Sequence, residues 1–182
     1  MMLKRIFVFF IFALSFFPVS AEKIDVNELL DQADILLKKA WEADDNAQFD
    51  KSKKLYEQYL QFLTQAADAG SANTCFKLAR HYSITHSPES IKWAKEGAER
   101  GDPEAMELLG QKYFVGKEIE QNWLKTHYYY MLAIKIGGEK HMRGTVERVR
   151  RLERRLTAEQ IANTKKLLEE FKPKTISFGQ KE

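Results

Sequence analysis

The sequence predicts an all-α protein built as a solenoid of antiparallel helical hairpins. Three observations carry that expectation. A pattern recurs at an offset of thirty-one residues: Ala66-Ala67-Asp68-Ala69-Gly70 is followed by Leu78 and Tyr82, then Gly97-Ala98-Glu99-Arg100-Gly101 is followed by Leu109 and Tyr113. Apolar residues along most of the chain return at three- and four-residue steps, the period of an amphipathic helix. No stretch alternates apolar with polar residues as a half-buried strand would. A short helical unit restated at fixed spacing marks an architecture in which each hairpin buries its face against its neighbours.

The first residues read differently. Lys4 and Arg5 precede an apolar run from Ile6 to Phe17, and Pro18-Val19-Ser20-Ala21 follows. Small residues at Val19 and Ala21 suit the minus-three and minus-one positions of a signal-peptidase site. The run is short for a bilayer span of roughly 20 residues. Residues 1–21 are therefore expected to be a secretory leader cleaved after Ala21. No cysteine follows that site to be lipidated, so an exported, periplasmic protein is expected.

Each helix has a local reason. Asp25 with Glu28 resembles a capping pair, and Val26, Leu29, Leu30, Ala33, Leu36, Leu37, Ala40 and Trp41 then make one apolar face. Asp44-Asp45-Asn46 breaks it. A second helix runs from Phe49 to Ala69 through Leu55, Tyr59, Leu60, Leu63 and Ala66, and Gly70 stands in the C-terminal glycine position. Helices follow at 72–84, 88–100, 103–115 and 121–136. Pro88 and Pro103 fall in first turns, where a missing N–H costs nothing. Gly101, Gly116 and Gly137-Gly138 mark stops. Two more helices are expected at 140–155 and 158–171, the last opened by a Thr157-to-Gln160 capping box and closed by Pro173. A helical domain at 22–172 and a flexible tail at 173–182 result.

These residues resemble the Sel-one-like repeat (SLR), a relative of the tetratricopeptide family. The resemblance rests on Gly101, Ala105, Leu109-Gly110, Tyr113, Gly116, Ile119, Asn122, Tyr129-Tyr130, Ala133 and Gly137, with the family's usual period of thirty-six residues between Gly101 and Gly137. The preceding unit departs more. Ala79 replaces a glycine, Trp93-Ala94 replaces a Trp-Tyr pair, and five residues are missing around Ile84 to Pro88. The resemblance implies a right-handed solenoid of about four hairpins, corners at Gly70, Gly101 and Gly137, and Tyr129 and Tyr130 in packing positions. It also implies that the first helix of each pair lines a concave wall. Carried onto this chain, that register places Phe76 and Arg80, then Glu107, Gln111 and Phe114, then Arg143, Glu147 and Arg150 on a protein-binding face.

Charge is uneven along the chain. Residues 22–139 carry 15 basic and 20 acidic side chains, whereas residues 140–182 carry 12 and 6. The basic end reads first as a solvated helix face, and an exported protein offers it no nucleic-acid partner. Contact of the Arg148–Arg155 helix with a membrane surface is the less favoured reading. Cys75 is the only cysteine, so there is no internal disulfide, and its neighbours Leu78 and Ala79 mark it as a buried small hydrophobe. His81, His86, His127 and His141 form no metal-ligand spacing and read as surface or boundary imidazoles. No nucleophile elbow or phosphate-cradling loop occurs.

No catalytic, metal or cofactor-binding residues are thus expected, and the chain is read as a non-enzyme. Its expected role is an exported helical-repeat scaffold making protein–protein contacts in the bacterial cell envelope, its partner a protein or peptide. Two alternatives stand beside it: a periplasmic immunity protein that neutralises a toxic secreted effector, and an envelope enzyme or its activating subunit.

Overall fold

The computed structural model describes residues 25–84 and 88–174. The expected leader, the interior of the shortened loop before Pro88 and the tail beyond Lys174 lie outside these. Among the described residues there are eight α-helices and no strand: α1 (Val26–Asp45), α2 (Phe49–Asp68), α3 (Ala72–Ile84), α4 (Pro88–Glu99), α5 (Pro103–Val115), α6 (Trp123–Gly137), α7 (Arg143–Glu153) and α8 (Ala158–Glu170). Helix packs on the following helix from α1 through α7, and α3 also touches α5. That is the sequential, nearest-neighbour packing of a helical-repeat solenoid.

The thirty-one-residue repeat is visible as repeated hydrogen bonds. At the first corner Gly70 N–H donates to Ala67 and Ser71 N–H to Ala66, at 2.9 and 3.0 Å. At the second, Gly101 N–H donates to Ala98 and Asp102 N–H to Gly97, at 3.1 and 2.9 Å. Both glycines take positive φ, 101° and 92°, where a side chain would be strained. The next helix is then capped in the same register. Thr74 N–H donates to the Ser71 hydroxyl, and Ala105 N–H to the Asp102 carboxylate at 2.7 Å. The turn from α1 to α2 uses the same pair of bonds around Ala47, whose φ of 58° is the only positive value at a non-glycine residue among those described.

The third corner does not follow. Gly137 is still helical, and the left-handed residue is Gly138, whose N–H returns to Ile134. Gly137 serves another purpose: a Cβ there would lie 3.0 Å from Pro103, so its lack of a side chain lets the end of α6 approach the start of α5. The fourth hairpin also departs from expectation. α7 and α8 each pack on α6 and make little contact with one another. Three hairpins (α1/α2, α3/α4, α5/α6) are thus followed by two helices that share one supporting surface.

The core runs through the stack as Leu63, Leu78, Met106, Leu109 and Leu132 with the alanines between them. Small residues set the spacing. A Cβ on Gly97 would come within 2.7 Å of the Ala105 methyl, and one on Gly110 within 2.6 Å of the Tyr130 ring. Trp41, assigned to the apolar face of α1, is exposed instead. Ala40 takes the inward position and the next residue lies about 100° round the helix. The residues just after α8 fold back on the second corner. Pro173 packs on Gly101, and Lys174 donates its N–H to the Glu99 carbonyl at 2.8 Å while its ammonium meets the Glu99 carboxylate.

Backbone approach at Gly110 is therefore expected to be worth more than helix propensity. Gly110→Ala should lower the unfolding free energy by about 1–3 kcal/mol, because Tyr130 is too enclosed to yield. Gly144→Ala, in α7 with nothing near its Cβ, should be neutral or stabilising by about 0.5 kcal/mol. Urea titrations of the two variants check the contrast.

Candidate functional site

The eight residues expected on one binding wall are divided among four places. Phe76 is half-buried and Arg80 exposed on α3, and neither lines the two clefts described below. Arg143, Glu147 and Arg150 border a cleft of about 490 Å³ with Glu139, Lys140 and Val146. Its charges largely cancel, and Arg150 is already bonded to Glu147 at 2.6 Å. Gln111 and Phe114 line a different cleft of about 540 Å³, between the C-terminal half of α5, α6 and the C-terminal half of α7. Glu107 joins neither lining. It accepts hydrogen bonds from the Thr145 hydroxyl and the Arg148 guanidinium, and so ties α5 to α7.

The larger cleft is assembled from both repeat packing and helix-terminal chemistry. Tyr130, 3% exposed, forms part of its base and can sit there because Gly110 lacks a Cβ. Burial pushes the Tyr130 hydroxyl above its ordinary value, opposed in part by the Arg148 charge beside it. Phe114 and Val115, at 43% and 57% exposure, stand on the rim. They are held by the turn that follows. Gly116 takes a left-handed φ of 70° to end α5, and Gln121 donates its side-chain amide to the Phe114 carbonyl at 2.8 Å. Asn122 N–H returns to the Tyr113 carbonyl, and its side chain caps α6. The enclosed Lys112 ammonium clamps the same turn by donating to both Glu118 oxygens, at 2.6 and 2.7 Å, and to Ser83 on α3. Little in this rim can swing away.

The opposite wall is cationic. Arg148, Arg151, Arg154 and Arg155 line it together with Leu152. Arg148 is neutralised by Glu107. Arg151 donates only to the Glu147 backbone carbonyl, and the Arg155 guanidinium lies 5.4 Å from the Trp123 ring centre. Among the described residues, neither these two nor Arg154 has a carboxylate partner. The wall is anchored by His127, which is fully buried on α6 and meets the Glu153 carboxylate at 3.2 Å through Nε2. Its other ring nitrogen has no partner among the described residues. The boundary role expected for this imidazole is thus wrong: its helix face turns inward against α7.

Arg148, Arg151, Arg154 and Arg155 were visible in the sequence as a basic run but were not placed on the binding wall. The expected register takes Arg143, Glu147 and Arg150 along α7, whereas the cleft is lined by Arg148, Arg151 and Leu152 and by Arg154 and Arg155 past its end. Aromatic packing follows expectation more closely. Tyr129 stacks on Tyr113 with ring centres 5.7 Å apart, Tyr130 is buried, and Tyr128 meets Tyr129 edge-on. Burial raises the Tyr129 hydroxyl to about 12. No group of three metal-ligating side chains occurs among the described residues, and no described helix is long and apolar enough to cross a membrane. No family model matches the chain, and no curated protein matches it.

Cys75 lies in the core beside Arg100, whose guanidinium donates to the Ala67 carbonyl and reaches the Cys75 sulfur at 3.4 Å. Burial raises its thiol from 9.0 to about 11, the Arg100 charge opposing only part of the shift. The raised value makes the stabilising contribution complete below about pH 9 and lost as pH rises through about 11. Unfolding midpoints taken between those limits should fall less steeply for Cys75→Ala than for the parent chain.

Proposed function

We propose that this chain is an exported repeat protein of the SLR kind, freed of its leader after Ala21. It acts as a scaffold for protein–protein contact in the bacterial cell envelope and carries out no reaction itself. The observation that supports this reading is the larger cleft. It joins apolar side chains held open to solvent by a clamped turn with cations that the fold leaves without carboxylate partners. Monomeric domains seldom leave such a mixed surface uncovered without a use for it. A concave wall between packed helices suits a segment of another protein, with a few enclosed side chains supplying most of the affinity.

Photo-crosslinking tests the proposal in the native compartment. A photoreactive residue in place of Gln111, on the cleft rim, should capture a discrete set of envelope proteins, and Phe114→Asp should abolish that capture. The same residue at Lys39, exposed on α1, should not capture them. The mature N-terminus in the same cells should be Glu22. Identical patterns at both positions, or none, would remove the scaffold reading.

A further inference from the structure

We infer that the cleft between α5, α6 and α7 selects an acidic peptide segment carrying an apolar side chain between its carboxylates. This deepens the scaffold reading and rests on it. The argument begins with what the fold has already used. Glu107 neutralises Arg148, and Glu153 is turned toward the buried His127, so each carboxylate is committed to holding α7 in place. What remains at the end of α7 and just past it is Arg151, Arg154 and Arg155, without carboxylate partners among the described residues. Guanidinium groups on one wall of a partly enclosed cleft favour carboxylates, which they can engage with two parallel hydrogen bonds.

The apolar side sets the second requirement. Phe114 and Val115, exposed at the end of α5, supply the apolar side of the cleft that the arginines also line. Placing carboxylates against the arginines brings the intervening residue of an extended segment to the apolar side, since successive side chains point to opposite faces. The second cleft lacks both properties, because Glu139 and Glu147 offset its cations and Val146 is its one apolar lining residue. A flat anionic lipid surface would meet the exposed arginines but leave the enclosed Tyr130–Leu152 base unfilled.

The test uses the mature chain and three short fluorescent peptides read by anisotropy. One alternates Asp and Glu with Leu and Phe, one replaces the acids by Lys, and one keeps the acids but replaces the apolar residues by Ser. The first should bind saturably, and the other two at least about tenfold more weakly. Arg151→Glu with Arg154→Glu should weaken the first peptide by at least about tenfold, and more of the loss should appear at low salt. Both residues are exposed, so helicity measured by circular dichroism should be unchanged. Arg143→Glu with Arg150→Glu, in the other cleft, carries the same charge change and should leave binding within about twofold.

Equal loss from the two double variants would reduce the effect to net charge and overturn the inference. Co-sedimentation with phosphatidylglycerol vesicles, lost in the Arg151/Arg154 variant and unaffected by the peptide, would overturn it in favour of a lipid surface. Competition by inorganic phosphate alone would overturn it in favour of a small anion. Should Gln111 crosslink a partner whose binding ignores charge reversal, the scaffold reading survives and this inference fails.

Discussion

The structure depends on helix backbones approaching more closely than a side chain permits. Gly97 against Ala105, Gly110 against Tyr130 and Gly137 against Pro103 each place a neighbour about 3 Å or less from where a Cβ would stand. One joins α4 to α5, and the other two lie at different heights between α5 and α6. Close packing at that distance converts small residues, which bury little area themselves, into a means for Leu78, Met106, Leu109 and Leu132 to reach one another across hairpins. Hydrophobic burial supplies the driving force, and glycine determines where it can be collected.

The cleft is a product of the same constraint. Tyr130 reaches its base only because Gly110 is bare, and α7 lies along α6 only because Tyr130 and His127 are enclosed rather than projecting. Around that base, ionic groups divide into two sets. Lys112 with Glu118 and His127 with Glu153 each have at least one buried partner, whereas Glu107 with Arg148 ties α5 to α7 nearer the surface. A buried pair such as Lys112 with Glu118 loses heavily if one partner is removed, because a desolvated charge is left behind. The exposed arginines at the end of α7 contribute little to folding by comparison. Their charge is available for binding because the fold does not need it.

Irregularity begins after α6. The first two corners repeat bond for bond, although the helices of the first hairpin, 20 residues each, are longer than the 13 and 12 of the second. Past Gly138 the repetition ends, α7 and α8 share α6, and the chain returns through Pro173 to the Gly101 corner. A regular fourth hairpin would have continued the stack. Instead α7 presents its basic C-terminal turn beside the clamped 116–122 turn, and the asymmetry of charge between the two parts of the sequence becomes an asymmetry within one cleft.

The helices themselves were legible because their signals are local: apolar spacing, Pro88 and Pro103 in first turns, the Thr157–Gln160 capping box, and glycines beyond the last turn. Each of these acts within a few residues, so the sequence alone determined eight helices, their order and the two matching corners. Trp41, His127 and the set of arginines that share a cleft with Phe114 were not legible in the same way. Which side of a helix faces inward at its end, and which charges remain after others have paired, depend on residues separated by twenty-five positions or more, as for His127 with Glu153 and Glu107 with Arg148. Only the tertiary structure brings those groups within reach, because pairing and burial are decided by distance in space after the backbones have closed on one another.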